Sequence, residues 1–163
     1  PIKTRLNSSA ASDVYKRQPG RIEIDVLKAL NKKQVQKFDY EEIQSRLTEI
    51  DENVDKKFWD TIKGNLETVE EISSWTDIVF NSKPAESDDK DYIKLALELM
   101  PEEPWDDDTW TTWTNAIKEK TGRKGKELFL PLRVAFTGLT HGPEMKLLIQ
   151  LIGRDKIVER IQT

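Results

Sequence analysis

Apolar residues in this chain recur every three or four positions, and no convincing apolar/polar alternation appears anywhere along it, so the pattern predicts helices and no sheet. The clearest case is Trp110, Trp113 and Ile117, a stripe bounded by Asp108 as a helix cap and by Gly122 as a stop. Leu128 to Phe136 predict the next helix, closed by Gly138. Pro143 suits the first turn of another, where its missing N–H costs no hydrogen bond. Gly153 then separates that helix from a last one carrying Ile157 and Ile161.

Upstream the same spacing continues. Ile24, Leu27 and Leu30, with Val26, mark a first short helix, and Asp39 with Glu42 reads as a capping box ahead of Ile43, Leu47 and Ile50. Phe58, Ile62, Leu66 and Val69, flanked by Trp59, predict one longer helix over 55–73. Trp75, Ile78, Val79 and Phe80 suggest a short apolar turn before a loop around Pro84. Ile93, Leu97 and Met100 predict a helix over 88–100, ended by Pro101 and Pro104. The expected fold is all-α, with about eight helices in a compact or superhelical bundle.

A length of 163 residues fits one ordinary domain or two small ones. Residues 1–18, PIKTRLNSSAASDVYKRQ, have four basic residues, one acid and no sustained apolar period. SDVYKRQ resembles a tail that recurs on unrelated conceptual translations, so 1–18 are read as non-native or disordered, and the true start of the protein as missing. Residues 19–163 are expected to form the helical domain, with a break near 81–90 if there are two subdomains. Without cysteine the chain has neither disulfides nor thiolate metal sites, and a lone His141 cannot make a histidine-rich one. The longest apolar run, Leu128 to Leu132, is far too short to span a bilayer.

Charge is unevenly divided. Glu86 to Asp108 hold ten acids against two lysines, a balance of −8, whereas Lys118 to Thr163 hold ten Lys/Arg against five acids, a balance of +5. A basic face for RNA beside an acidic, solubilising side fits that division, as do two merely solvated faces; charge alone favours the second.

The turn GRKGKE at 122–127 invites comparison with a phosphate loop. Its glycines are three apart rather than five, and no Ser/Thr follows the lysine, so nucleotide hydrolysis is not expected there. Arg123, Lys124 and Lys126 still suit RNA phosphates through counterion release, or else a solvated helix end where cations are favoured. Arg133 lies between Leu132 and Val134 in an apolar helix, and such a guanidinium has either a buried acid, a cap or a base edge as partner. Next to the Thr140-His141-Gly142-Pro143 turn, the base edge is the preferred reading. His141 reads as a turn residue. The tryptophans read as core, and Asp106-Asp107-Asp108 as a helix start favoured by the macrodipole. No catalytic constellation can be assembled.

From Arg21 onward the blocks LNKKQVQKFDYEEIQSRL, FWDTIKGNLETVEEISSW, EPWDDDTWTTW, GRKGKELFLPLRVAFTG and HGPEMKLLIQLIGRDKIVERI occur in an order that resembles the C-terminal anticodon-binding region of bacterial-type glutamyl-tRNA synthetases. The last two blocks are the specific ones. The resemblance implies a helical cage around three anticodon bases and a cytoplasmic, monomeric parent enzyme that attaches glutamate to tRNA. The catalytic domain that uses ATP and Mg is expected to be absent here, because HIGH-like and KMSKS-like signatures are not present; no cofactor is expected in this chain. By motif, Arg133 matches a family arginine that contacts anticodon bases, and Gly142, Pro143 and Met145 match the turn and apolar side chain shaping the base pocket. Gly142 stands where some members have a hydroxylated residue. Gln36 falls near a position where some members carry an arginine that rejects tRNA for glutamine, which implies a relaxed choice between the tRNAs for glutamate and glutamine. The competing expectation is a helical protein-interaction scaffold that works through its acidic 86–108 side.

Overall fold

The computed structural model of the protein describes residues 21–81 and 88–162. Among them nine α-helices follow one another and no strand occurs: α1 (Arg21–Val35), α2 (Tyr40–Ile50), α3 (Lys56–Ile62), α4 (Ile72–Thr76), α5 (Lys90–Glu98), α6 (Thr109–Thr121), α7 (Lys126–Thr137), α8 (Met145–Ile152) and α9 (Arg154–Gln162). The 1–18 tail and the loop around Pro84 lie outside the described residues.

Helix ends follow the local chemistry. Ahead of α2, the Glu42 carboxylate accepts from the Asp39 backbone N–H at 2.8 Å, closing the capping box. α6 begins after Asp108, but the capping side chain is Asp106. Its Oδ1 accepts from the Asp108 N–H (3.0 Å), the Thr109 N–H (2.9 Å) and the Thr109 hydroxyl (2.8 Å). These contacts hold the Asp106 carboxyl below its ordinary pKa, the Thr109 hydroxyl contributing most. α6 and α7 stop at Gly122 and Gly138, both in the left-handed conformation that ends helices cheaply only at glycine.

The buried residues form one cluster running from Val35 to Ile157. At its centre Trp113 is fully buried, stacked on Phe136 at 5.5 Å and flanked by Trp105 and Trp110. Its indole N–H donates to the Ala96 carbonyl at 2.8 Å, which satisfies the one polar atom that burial would strand. Tyr92 on α5 donates its hydroxyl to the Leu128 carbonyl at 2.6 Å, and burial pushes its pKa up to about 12. α6 packs on α7 and α8, and α7 on α9, so the three helices that follow the basic turn share one core.

Three expectations fail locally. The single helix over 55–73 is broken: α3 tightens into a 3-10 turn at Lys63–Asn65, extends through Leu66 and Thr68, turns again at Val69–Glu71 and resumes as α4. Gly64 and Asn65 are poor helix formers, and Leu66, Val69 and Ile72 reach the core from these turns, so the apolar stripe persists without the helix. α1 forms, but its stripe is not core; Ile24, Val26, Leu27 and Leu30 are 51–64% exposed, and among the side chains described in this helix only Val35 is buried. The helix is held at its C-terminal side, where Asn31 donates to the Glu67 carbonyl and Lys28 pairs with Glu67. Finally, α8 starts at Met145 rather than at Pro143, because Gly142 takes a positive φ, Glu144 is extended and the Pro143 carbonyl turns toward α7.

Candidate nucleic-acid interface

Arg133 leaves α7 one turn before the helix ends and reaches the following turn. Its Nη2 donates to the Pro143 carbonyl at 2.8 Å, while Nη1 is buried with no hydrogen-bond partner. The guanidinium is half-buried, and burial alone lowers its pKa from the ordinary value. It stays charged regardless, since arginine is not deprotonated in proteins. The buried acid that would have made Arg133 a structural salt bridge is therefore not its hydrogen-bonding partner; a carbonyl fixes the plane of the fork and leaves one prong over.

The turn itself is tightly braced. The Thr137 hydroxyl donates back to the Arg133 carbonyl at 2.7 Å and accepts from the Leu139 N–H at 3.1 Å. Thr140 and His141 meet at 3.2 Å through Oγ1 and Nδ1 on the exposed crest. Gly142 then adopts φ +146, and a methyl group on it would lie 3.3 Å from Arg133 Nη1 and 2.8 Å from Trp75 Cη2. A side chain at 142 is thus excluded twice over, by backbone and by space. Pro143 and Met145 are buried, seating the turn on the core at the start of α8.

The residues singled out in the sequence therefore divide. Arg133, Gly142, Pro143 and Met145 come together at one turn. Gln36 lies just past the end of α1 and donates its amide to the Gly64 carbonyl at 3.1 Å, at the break that follows α3. Arg123 is built into the fold: its guanidinium pairs with Asp89 at 2.5 Å and lies 4.0 Å above the Tyr92 ring. Lys124 and Lys126 are exposed on the turn that opens α7. Two residues escaped the sequence reading. Trp75, read as core, does pack against the core, but it also reaches the Gly142 turn from α4. Arg160, which no sequence signal singled out, is buried.

A family model described as an anticodon binding domain matches residues 27–163. The chain belongs to this family. Among curated relatives, the anticodon-binding chain is 35% identical over 165 residues to glutamate–tRNA ligase 2 of Gluconobacter oxydans, covering 99% of this chain and 36% of that protein. It is 40% identical over 169 residues to glutamate–tRNA ligase 2 of Ehrlichia canis, covering 99% of this chain and 38% of the relative. The domain thus spans somewhat over a third of the length of these relatives. Its fold is that of a segment in the crystal structure of a glutamate–tRNA synthetase from Elizabethkingia anophelis, with a TM-score of 0.66 at 18% identity, covering 83% of this chain and 30% of that one.

Among the described residues, no group of three or more His, Cys, Asp or Glu side chains could hold a metal ion. In the 122–127 turn Arg123 is tied to Asp89 rather than facing a phosphate. No helix among the described residues is long and apolar enough to cross a membrane.

Proposed function

We propose that this domain recognises the anticodon arm of the tRNA for glutamate, as the C-terminal part of a glutamate–tRNA ligase. One observation carries the reading: a charged, half-buried guanidinium held by a carbonyl rather than an acid sits against a glycine–proline turn in a chain of the anticodon-binding family. RNA loops present splayed bases whose ring nitrogens and carbonyl oxygens accept hydrogen bonds, and an arginine fork is suited to such edges. Lys124 and Lys126, at the start of the helix that bears Arg133, supply charge for the phosphates. ATP and Mg belong to the catalytic part of the parent ligase, so the chain alone binds tRNA without charging it. The parent is read as a cytoplasmic monomer. With a neutral Gln36 near the position where an arginine would discriminate, we read the tRNA for glutamine as a second candidate partner.

The test is a fluorescence titration of the anticodon stem-loop of glutamate tRNA. Arg133→Met should weaken binding by roughly 1–3 kcal/mol while leaving helicity intact. Equal affinity of the variant and the parent chain would retire the reading.

A further inference from the structure

Four of the five tryptophans have their rings or indole N–H groups committed inside the fold. Trp59 and Trp113 are fully buried and donate to the Phe38 and Ala96 carbonyls. Trp105 donates to the Pro101 carbonyl and lies 6.1 Å from the Trp113 ring. Trp110 meets Trp113 edge-on at 6.0 Å and lies 6.3 Å from Phe129. Trp75 differs. It is half-buried and packs against the core as Trp105 and Trp110 do, but among the described residues its ring has no aromatic partner and its N–H no protein acceptor. Its far edge leans on Gly142, where a methyl group would lie 2.8 Å from Cη2 and 3.7 Å from Cζ2. The same methyl would stand 3.3 Å from Arg133 Nη1. An indole from α4 and a guanidinium from α7 converge on one glycine, and only the missing Cβ lets both approach.

We propose that Trp75 is the stacking wall of this site, taking the face of one unpaired nucleobase while Arg133 addresses an acceptor on that base's edge. The proposal rests on reading the Arg133 turn as the anticodon site. Every nucleobase has a π face, so an indole wall contributes affinity at whichever anticodon position lies against it, and the arginine supplies the choice of edge. The segment bearing Trp75 is firm enough to hold a base, because Ile72 and Thr76 beside it are buried and the Thr76 hydroxyl donates to the Ser73 carbonyl at 3.0 Å.

The experiment titrates the full chain with glutamate-tRNA anticodon stem-loops carrying 2-aminopurine at one anticodon position at a time. The parent chain should quench the probe at one of the positions. Trp75→Ala should abolish that quenching and weaken binding about tenfold, whereas Trp75→Phe should stay within about threefold. Trp75→Leu, which keeps apolar bulk but no π face, should behave as Trp75→Ala does and covers the case in which the alanine variant misfolds. If the parent chain binds and Arg133→Met weakens it, yet no position is quenched and Trp75→Leu binds as tightly as the parent, the stacking wall is wrong and the anticodon reading survives. If the parent chain does not bind the stem-loop at all, both fall together.

Discussion

Arg133 on α7 and Arg160 on α9 are both guanidinium groups drawn in from solvent, and they are engaged very differently. Arg160, on α9, is 7% exposed; its Nη1 donates to the Phe136 carbonyl at 2.5 Å and its Nη2 to the Ile78 and Val79 carbonyls at 2.7 and 2.9 Å. Those acceptors belong to the end of α7 and to the π-helical turn at Asp77–Asn81, so one guanidinium ties three segments together. Burial lowers the pKa of both arginines, but Arg160 has both terminal nitrogens engaged, whereas Arg133 has one bond and one buried nitrogen unmatched. A buried donor without an acceptor costs stability, and Arg133 carries that cost where Arg160 does not.

The largest effect should come from removing the structural member of the pair. Arg160→Met strips donors from three carbonyls and should lower unfolding free energy by roughly 3 kcal/mol in urea melts. Stem-loop affinity per folded molecule should be unchanged. Arg133→Met removes one hydrogen bond together with the stranded nitrogen, so its stability change should stay within about 1 kcal/mol. Equal losses of stability in the two variants would erase the distinction between them.

The same contrast explains what the sequence made legible. α6 and α7 were readable because Gly122, Gly138 and a capping aspartate punctuate strong apolar stripes, and such signals are local. Arg133 was readable because a cation inside an apolar run is conspicuous. Arg160 was not: in KIVERIQT it looks like an ordinary basic residue of a last turn, and its acceptors lie 24 to 82 residues away. Trp75 was hidden for a related reason, since its meeting with Gly142 links α4 to the turn before α8, a contact no spacing rule encodes. The break at Gly64 escaped because Leu66 and Val69 keep helical spacing while their backbone leaves the helix.

A smaller effect separates the cations of the basic turn. Lys124→Ala and Lys126→Ala should each reduce the slope of log affinity against log salt by about 1, as loss of a phosphate contact does. Arg123→Ala should leave that slope nearly unchanged, because its charge is already opposed by Asp89, and should act on thermal stability instead. A full unit of slope lost with Arg123 would place it with the ligand-facing cations and redraw the boundary between the two kinds.

The smallest effect concerns acid, and it tests whether the arginine contacts differ in kind from the carboxylate ones. Asp106 is held below its ordinary pKa by the Thr109 hydroxyl and the backbone N–H groups of Asp108 and Thr109. A carboxyl depressed in the folded state contributes stability that is fully present above its unfolded pKa, near 3.8, and is lost as pH falls through the folded value. Asp106→Asn should therefore lower Tm near neutrality and make progressively less difference below that unfolded pKa, converging with the parent chain in strong acid. The hydrogen bonds of Arg160 go to carbonyls, which do not titrate, and Glu159 adds only a secondary charge attraction, so most of the deficit of Arg160→Met should persist from pH 7 to pH 4. An Arg160→Met deficit that shrank in acid alongside that of Asp106→Asn would mean a carboxylate supports the knot, and Arg160 would then be an ion pair rather than a clasp on backbone carbonyls.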